Sequence, residues 1–593
     1  MSLRNMVIDH NSEDVFKERL LNVLASGAGL VHVRSAEVMR TVRAIRQTIV
    51  MESHEYVEWD VSRGSRKLTH ETIYQHDTES DAVSQIVPAL KAVWDKYLWW
   101  KKDATEDEKG IDYVFTFVNP QHWLGQNPAA AHYLLEMAYY LPESSVRVVF
   151  VTDDKALPDA VRENFVNIEF DLPGHGELLE RLEANIEDYG DPEAITITED
   201  QMDEIAVAGA GMTIPDFDVA VASSIVDTLY ADTDGDEAPV VEMHNVLAGV
   251  SKAKTEAIKK SEALELLQAG NMEDVGGLDI LKEWIKQREH TYSDEFLDFG
   301  GEPPKGIVVV GVPGTGKSLI AKAVGNQLGI PIVRFDFGAV FNALVGSSEE
   351  RIRKALKLVE AMSPCVLFVD EIDKGLGGLG GSGDSGTSMR VFGTFLTWLQ
   401  DCDKPVFTMV TANNIMGLPP ELMRRGRFDQ IFSTTLPNEY EREDVLAIHL
   451  RKRGHDIDQF SAEDIDKFLE ASDECVAAEI ESLVKDAIVL AFNDNPEEPE
   501  LHMDHILRAR EQMVPLSKSH ADGIQRIVDW AKDNAQPASY TKKEMSEMRP
   551  SRASKKPATA PRKVRGGKSE AKTASVTKID TKRTRTRRKK DEE

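Results

Sequence analysis

Residues 308–324, VVVGVPGTGKSLIAKAV, join an apolar run, a glycine-rich turn, a lysine, a serine and an amphipathic stretch. The spacing of Gly311, Gly316, Lys317 and Ser318 is that of a loop whose backbone N–H groups wrap a phosphate at the start of a helix. Lys317 would reach the β- and γ-phosphates, and Ser318 would supply an oxygen to Mg²⁺. Since strand, loop and helix follow in the required order, the stretch predicts a nucleoside triphosphate site rather than a chance turn.

A second apolar stretch, VLFVDE, ends in two carboxylates, Asp370 and Glu371. One carboxylate can hold Mg²⁺ through water, and the next can polarise an attacking water as a general base. By itself such a pair is usually a solvated turn, but after a phosphate loop it indicates hydrolysis. Asn413 ends the following strand, FTMVTAN, and could orient the same water, although a lone asparagine there is more often a turn former.

Three arginines surround one glycine in ELMRRGRFDQ, residues 421–430. On an isolated domain they would be solvated charge, but planar guanidinium groups also stabilise a transferring phosphoryl group, often from a neighbouring subunit. Arg424 and Arg427 are three positions apart and could reach one anion together. They predict a ring in which each subunit completes its neighbour's site through a head-to-tail contact.

The elements that would position these side chains follow from alternating apolar and helical stretches. Strands rich in Val, Tyr and Phe, with helical spacing between them, predict parallel sheets. The predicted strands are 29–35, 56–62, 112–119 and 145–153 in the first half, and 306–312, 330–337, 365–373 and 405–414 in the second.

The remaining stretches are predicted to be helices or loops. Residues 36–49 and most of 439–535 have helical spacing, and 251–268 is a charged helical connector. The acidic segments 184–204 and 231–239 are expected to be exposed loops. After about Ser539 the composition becomes that of a disordered tail.

Charge is unevenly distributed along the 593 residues, a length that predicts two to four domains. The net charge is −31, but residues 541–593 contain 19 Lys and Arg and 7 Asp and Glu, which leaves −43 for residues 1–540. The basic stretches 561–568 and 582–590 could neutralise phosphates of DNA or RNA, without aromatic residues for base stacking. A solvated tail, or one that docks on the acidic body, is the alternative.

Cysteine usage and hydropathy indicate the compartment. Cys365, Cys402 and Cys475 are far apart, so neither a disulfide framework nor a zinc site is indicated, and a reducing compartment fits best. The polar, acidic start lacks the apolar core of a signal peptide, and no apolar run approaches ~18 residues. A cytoplasmic protein without a membrane span is expected.

Together these motifs resemble the AAA family of ATPases. Residues 275–288, 382–400 and 411–432 are most similar to the probable AAA ATPases of plastid and cyanobacterial genomes and their bacterial and phage relatives. The resemblance is strong over 255–455, weaker over 1–255, and does not cover the tail.

The resemblance implies an α/β fold: a P-loop NTPase core of the AAA type with a parallel sheet, then a C-terminal helical lid. The turn RSAEVM after the first predicted strand lacks the glycine loop and the lysine, so we expect no nucleotide in the first half. That half would be a degenerate AAA-like α/β domain, since 211–229 is similar to 472–490, or else an unrelated α/β domain. The expected divisions are 1–245 for this domain, 246–272 for a helical connector, 273–438 for the ATPase core, 439–535 for the lid and 536–593 for a disordered basic tail.

The resemblance also implies roles for individual residues. Asp370 and Glu371 would form the Walker B pair, Asn413 the first sensor, and Arg424 and Arg427 the arginine fingers. Ala477 and Ala478 stand where many relatives have Gly-Ala, and no second-sensor arginine occurs there. The expected ATP contacts are Asp274, Val275 and Gly276 at the adenine, His449 near the ribose, Ala477 of the lid, and Val312, Pro313, Gly314, Thr315, Gly316, Lys317, Ser318 and Leu319 of the phosphate loop.

Relatives that thread polypeptides carry a pore-loop aromatic where this chain has Leu344, with Val345 beside it. Leucine could grip a chain by burial, or it could pack at a subunit interface. The stretch HEYVE lacks the second histidine of a zinc protease, so ATP hydrolysis with Mg²⁺ is the predicted chemistry.

The expected function is that of a self-assembling ring, by resemblance a hexamer, which remodels a protein or a protein–nucleic-acid complex. Two alternatives remain: a nucleic-acid-associated ATPase acting through residues 541–593, and an ATP-dependent assembly switch.

Overall fold

A computed structural model describes most of the chain. The described residues are 12–52, 54–68, 85–124, 127–153, 157–188, 195–230, 240–259, 261–341, 348–376, 385–414, 421–422 and 426–548. Leu344, Val345 and Arg424 lie outside them, as do the acidic segment 231–239 and residues 549–593.

The first half contains a six-stranded sheet in the order β3-β2-β4-β5-β1-β6. Only β3 is antiparallel to its neighbour. Every residue of β5 is buried, as expected for a parallel strand covered by helices on both faces. The strands are β1 (Leu30–Arg34), β2 (Glu55–Asp60), β3 (Gly64–Leu68), β4 (Tyr113–Val118), β5 (Val146–Thr152) and β6 (Val166–Glu169).

Helices pack on both faces of this sheet because alternate strand residues point to opposite sides. Val148 and Phe150 belong to one apolar cluster, and Val149 and Val151 to the other. The flanking helices are α1 (Ser12–Ala25), α2 (Val38–Met51), α3 (Ile86–Lys102), α4 (Glu106–Lys109), α5 (Gln121–Leu124), α6 (Pro128–Tyr140) and α7 (Asp159–Arg162).

A group of helices with its own apolar cluster follows the first sheet. It consists of α8 (His175–Asp188), α9 (Glu199–Gly209), α10 (Ile214–Leu229) and α11 (Met243–Lys259).

The second half contains a seven-stranded sheet in the order β13-β12-β8-β11-β10-β9-β7. Only β7 is antiparallel to its neighbour. The strands are β7 (Leu264–Leu267), β8 (Gly306–Gly311), β9 (Ile332–Phe335), β10 (Cys365–Val369), β11 (Val406–Ala412), β12 (Gln430–Thr434) and β13 (Gln536–Pro537).

Helices cover this sheet and continue beyond it as a separate helical cluster, which contains Leu446, Phe468 and Ile480 in its core. The helices around the sheet are α12 (Asp279–Lys286), α13 (Asp294–Asp298), α14 (Lys317–Leu328), α15 (Phe337–Phe341), α16 (Ser348–Ala361), α17 (Ile372–Leu376) and α18 (Ser385–Asp401). Those that follow are α19 (Glu439–Arg451), α20 (Ala462–Ala471), α21 (Ala477–Asp494), α22 (Met503–Glu511), α23 (Leu516–Ser519), α24 (Ala521–Asn534) and α25 (Lys542–Met548).

The two sheets share one strand order. In each, the first parallel strand, β1 or β8, lies between the fifth, β6 or β12, and the fourth, β5 or β11, and the second sheet adds β13 beside β12. The third and second strands follow, and an antiparallel strand, β3 or β7, closes that edge. The predicted α/β fold with parallel sheets and a P-loop core is confirmed. Within the described residues, every helix is too short or too polar to cross a bilayer.

Two predictions about local structure were wrong. The acidic segment 184–204 was expected to be a loop, but α8 extends to Asp188 and α9 begins at Glu199 after a capping box made by Thr198 and Gln201. The acidic side chains lie on amphipathic helices, whose apolar faces carry buried residues such as Leu182 and Ile205. The connector predicted over 251–268 is helical only to Lys259, because its end forms β7 against β9.

The predicted disordered tail also begins too early, since residues 536–548 are part of the fold. β13 pairs with β12, and buried Ala538 donates its N–H to Ser433 O at 2.9 Å. The carbonyl of Ala538 accepts from Leu281 N at 3.1 Å, and the buried side chain of Met545 lies on α25. This short strand has no period long enough to be read from sequence, because it is formed by pairing with a distant strand.

A chain ending at residue 535 is expected to unfold its ATPase core at a lower temperature than a chain ending at 548. The deletion removes two backbone hydrogen bonds of Ala538 and the burial of Met545, together about 3 kcal/mol, or roughly 5–10 °C. Calorimetry would measure the shift, with the core transition assigned by its response to ADP. Coincident transitions for the two chains would contradict the structural role of this segment.

Candidate functional site

The predicted phosphate loop joins buried strand β8 to helix α14. Gly314 and Gly316 have φ values of 79° and 91°, a left-handed conformation that glycine adopts without a steric penalty. Thr315 Oγ1 donates to Val312 O at 2.8 Å and lies 2.7 Å from Thr434 Oγ1. The loop is therefore anchored to the end of β12 while its glycine-rich turn, with Pro313 and Gly314 exposed, faces outward.

Lys317 is a buried cation whose hydrogen bonds go to neutral groups. Its side chain is only 6% exposed, and Nζ donates to the carbonyls of Gly311 at 3.0 Å and Val312 at 2.8 Å. Burial lowers the pKa of Lys317 to about 8, against the opposing pull of nearby carboxylates such as Asp370. A buried ammonium with carbonyl partners at a helix start fits an incoming phosphate.

Asp370 lies directly after β10, and one of its carboxylate oxygens accepts hydrogen bonds from two hydroxyl groups. Ser318 Oγ donates to Asp370 Oδ1 at 3.0 Å, and Thr411 Oγ1 donates to the same oxygen at 2.6 Å. A carboxylate and a serine hydroxyl in contact are the hard oxygen ligands that Mg²⁺ uses beside nucleotide phosphates. These residues therefore fit a magnesium ion shared with a triphosphate.

Glu371 is held by three contacts in a strained backbone conformation, with φ of 47°. Its N–H donates to Thr411 Oγ1 at 2.8 Å, Oε1 accepts from Asn413 Nδ2 at 2.8 Å, and Oε2 pairs with Lys374. The hydrogen bond from Lys374 is the largest cause that lowers the pKa of Glu371. The carboxylate is thus ionised, as a general base must be.

Thr411, Thr434 and Asp373 also shape the site from adjacent elements, and none of them was predicted as a site residue. Asp373 accepts from the N–H of Asn413 at 3.1 Å and of Asn414 at 3.0 Å, and so joins α17 to the end of β11. A threonine inside an apolar strand, such as Thr411 in FTMVTAN, was the available signal.

The start of helix α21 contacts the phosphate loop directly. Ala478 N donates to Gly314 O at 3.0 Å, and a Cβ on Gly314 would lie 3.0 Å from Val476 Cγ2 and 3.2 Å from the Cβ of Ala478. Ala477 is the first residue of the helix and does not have a positive φ, so alanine fits where many relatives have glycine.

Leu319, the last residue predicted to contact ATP in the phosphate loop, follows Ser318 on α14 and is exposed.

The residues expected at the adenine lie against helix α19. Asp274 pairs with Lys452 at 3.1 Å, and Val275 is buried. A Cβ on Gly276 would lie 2.6 Å from Val445 Cγ2, so only glycine fits this close approach. His449 is half-buried on α19, and burial lowers its pKa.

Additional contacts hold the residues expected at the adenine and the ribose in place. Glu441 Oε1 accepts from Leu278 N at 3.1 Å. Arg453 Nη1 lies 3.4 Å from His449 Nδ1.

Of the two predicted arginine fingers, Arg427 donates from Nη1 to the carbonyl of Glu421.

In the first half, side chains occupy the place that corresponds to the phosphate loop. Glu37, just before α2, accepts from Ile214 N at 2.7 Å, at the start of α10. Arg40 pairs with Glu37 at 2.8 Å and also with Glu177. A buried carboxylate thus meets the helix start that would otherwise approach a phosphate.

Comparison with known proteins identifies two family matches. A model of the "ATPase family associated with various cellular activities (AAA)" matches residues 307–436, and a model of the "SpoVK-like AAA ATPase, N-terminal domain" matches residues 16–170. The uncharacterized AAA domain-containing protein ycf46 of Guillardia theta is 34% identical over 399 residues, 67% of this chain and 75% of that protein.

Two further relatives extend the comparison. The ycf46 protein of Gracilaria tenuistipitata var. liui is 33% identical over 407 residues, 67% of this chain and 77% of that protein. The probable 26S proteasome regulatory subunit 4 of Caenorhabditis elegans is 27% identical over 288 residues, 47% of this chain and 63% of that protein. With the phosphate loop and carboxylate pair in place, the chain belongs to the AAA family of ATPases.

Proposed function

We propose that this protein hydrolyses ATP with Mg²⁺ as a ring-forming AAA ATPase and uses the energy to remodel a protein or a protein–nucleic-acid complex. The observation that carries the proposal is that Lys317, the Ser318–Asp370 pair and the Glu371–Asn413 pair lie together at the carboxyl ends of the parallel strands. Parallel strands bring their carboxyl ends together there, which is where ligands bind in open α/β sheets.

Each side chain has a distinct role in this proposal. Lys317 would donate to the β- and γ-phosphates, and Ser318 and Asp370 would hold Mg²⁺, which neutralises phosphate charge when bound. Glu371 would accept a proton from the attacking water, with Asn413 and Lys374 fixing its carboxylate. Thr411 would hold Asp370 and the Glu371 backbone in place from the neighbouring strand.

The ring is supported by the predicted arginine fingers and by the similarity to a proteasome regulatory subunit, which is itself part of an assembly. Within the ring, residues 1–245 would act as a degenerate AAA-like domain, because their sheet repeats the strand order of the ATPase core. The contact of Glu37 with the start of α10 would exclude nucleotide from that half, because a carboxylate already accepts from the N–H that a phosphate would use.

Replacing Lys317 with alanine tests the ATP site. We expect an affinity for ATP weaker by about 10–100-fold, since charge-assisted hydrogen bonds contribute roughly 1.5–3 kcal/mol, and turnover should fall with it. Lys322→Ala, an exposed lysine on the same helix, is the matched control. Phosphate release and ATP titration would measure both effects, and equal affinities for the two variants would contradict the proposed site.

The charge difference between residues 541–593 and the acidic body supports a second candidate, a nucleic-acid-associated ATPase. This candidate rests on sequence alone. It would be excluded if the full chain and a chain ending at 548 bound duplex DNA equally at every salt concentration. An assembly switch would be favoured instead by slow turnover that unfolded proteins do not stimulate.

A further inference from the structure

Two neighbouring strands of the core sheet bound the predicted lid, helices α19–α24. The chain leaves the sheet after β12 and returns to it at β13. These strands pair in parallel, with Ser433 opposite Pro537. Since paired strands lie about 4.8 Å apart, both ends of the predicted lid are attached to the core at adjacent places. The lid can therefore rotate about this attachment unless contacts beside it prevent the rotation.

Residues 536–548, which we call the strap, contact the core beside this attachment. The carbonyl of Ala538 accepts from Leu281 N at 3.1 Å, and the hydroxyl of Tyr540 donates to Glu283 Oε2 at 2.7 Å. Leu281 and Glu283 both lie on α12. The strap is therefore fixed to the helix that directly follows the residues expected at the adenine.

The strap also contacts the first residues of the predicted lid. The carbonyl of Tyr540 accepts from Asn438 Nδ2 at 3.2 Å, and Lys542 Nζ lies 2.7 Å from Glu439 Oε2. Asn438 is the N-cap of α19, and Glu439 is the first residue of that helix. Tyr540 thus joins α12 to the start of α19, with its hydroxyl on one helix and its carbonyl on the cap of the other.

The two elements that Tyr540 joins carry opposite sides of the expected adenine site. Asp274 and Gly276 precede α12, whereas Val445, His449 and Lys452 lie on or directly after α19. Lys452 pairs with Asp274 at 3.1 Å, and a Cβ on Gly276 would lie 2.6 Å from Val445 Cγ2. Rotation of α19 away from α12 would separate these two sides. Only molecules in which both sides are in place could then bind the base and the ribose together, which lowers the apparent affinity.

We propose that Tyr540 is a positioning residue for the nucleotide, because it holds α19 at the angle to α12 that lets both sides of the expected adenine site contact one nucleotide. Lys542 supports the same angle through Glu439. This inference rests on the proposed function, since it requires ATP and ADP to bind at the phosphate loop. It adds that the strap, which lies outside the expected ATP contacts, determines part of the affinity for nucleotide.

Calorimetric titration of the full chain with ADP tests the proposal in the double variant Tyr540→Phe/Lys542→Ala. The first change removes the hydrogen bond to Glu283, and the second removes the ion pair with Glu439. We expect the affinity for ADP to fall about three- to tenfold, as suits one hydrogen bond to a carboxylate and one exposed ion pair. The KM for ATP should rise by the same factor, and kcat should stay within about twofold, because binding rather than chemistry is affected.

Tyr230→Phe/Lys543→Ala is the matched control and should bind ADP as the wild type does. Tyr230 is 82% exposed, and Lys543 is an exposed neighbour of Lys542 on α25. Lys542→Arg, which can still pair with Glu439, should also retain the wild-type affinity. Glu283→Ala should weaken ADP binding as much as Tyr540→Phe, and the two changes together should weaken it no further, since both remove the same hydrogen bond.

Equal ADP affinities for the strap variant and its matched control would overturn the proposal, as would a fall in kcat with an unchanged KM. If the double variant fails to fold, as judged by its circular dichroism melting curve, Tyr540→Phe alone takes its place. Lys317→Ala separates this failure from that of the proposed function. Loss of ADP binding in Lys317→Ala, with wild-type binding in the strap variant, would refute the strap alone, whereas wild-type binding in Lys317→Ala would refute the ATP site.

Hydrogen exchange without nucleotide provides a test that does not depend on ATP. The amides of residues 275–281 and 438–442 should exchange faster in the strap variant than in its matched control, because the contact between α12 and the start of α19 is weakened. Identical exchange in both segments would also overturn the proposal.

Discussion

Replacing Arg427 with alanine is expected to reduce ATP turnover by about 10³-fold or more while ATP still binds. A guanidinium group stabilises the charge that spreads over the transferring phosphoryl group, and the proposed ring places it in the neighbour's site. Arg427 donates to the carbonyl of Glu421, so its side chain is not committed to a carboxylate by that contact. Arg424→Ala should have a similar effect, and Arg526→Ala, an exposed change on α24, should have none.

Mixing two inactive variants shows whether the arginine acts in a neighbouring subunit. An Arg427→Ala chain has an intact ATP site but offers no finger, whereas a Glu371→Gln chain offers fingers but lacks its own base. Mixed rings should therefore recover part of the turnover that each variant lacks alone. Activity that stays absent in the mixture would place the arginine in its own subunit's site. Full activity of Arg424→Ala and Arg427→Ala in a monomer would refute the ring.

Replacing Glu371 with glutamine should lower turnover by about 10²–10⁴-fold, the usual contribution of general acid–base catalysis. The amide oxygen of glutamine can still accept from Asn413 Nδ2, so ATP binding and the local structure should persist. Single-turnover measurements would separate hydrolysis from binding. Glu511→Gln, on an exposed position of α22, is the control, and a Glu371→Gln rate within a few-fold of wild type would contradict the assigned base.

The same variant can identify what the protein acts on. A ring that holds ATP without hydrolysing it should retain its clients long enough for crosslinking and mass spectrometry. Lys317→Ala, which should not hold ATP, provides the background. If the two variants capture the same proteins, or none, the remodelling proposal loses its support while ATP hydrolysis is unaffected.

The chemistry of the candidate site was largely predictable because its motifs are contiguous. The loop from Gly311 to Ser318 is built by one turn and one helix start, so its spacing alone predicts the backbone that the structure shows. The buried strands that end at Asp370 and Asn413 were predicted from their apolar runs. Because β10 and β11 pair in parallel, the carboxyl ends of both strands lie on the same side of the sheet.

The positions of the supporting side chains could not be predicted in this way. Thr434 meets the phosphate loop across 119 positions of sequence, and Glu441 reaches Leu278 across 163. Strand β12 and strand β13 were likewise not predicted, because pairing with a distant strand leaves little periodicity in so short a stretch. The end of α8 and the start of α9 were predicted to be a loop, because the many acidic residues of 184–204 were read as exposed.

Sequence by itself determined the AAA phosphate loop, the carboxylate pair and the alternation of strands and helices, since each depends on neighbouring residues and on the 3.6- and 2-residue periods. Only the tertiary structure decided the shared strand order of the two halves and the pairing that makes residues 536–548 part of the fold. These features arise from packing between residues far apart in the chain, where the free energy depends on which surfaces meet rather than on local spacing.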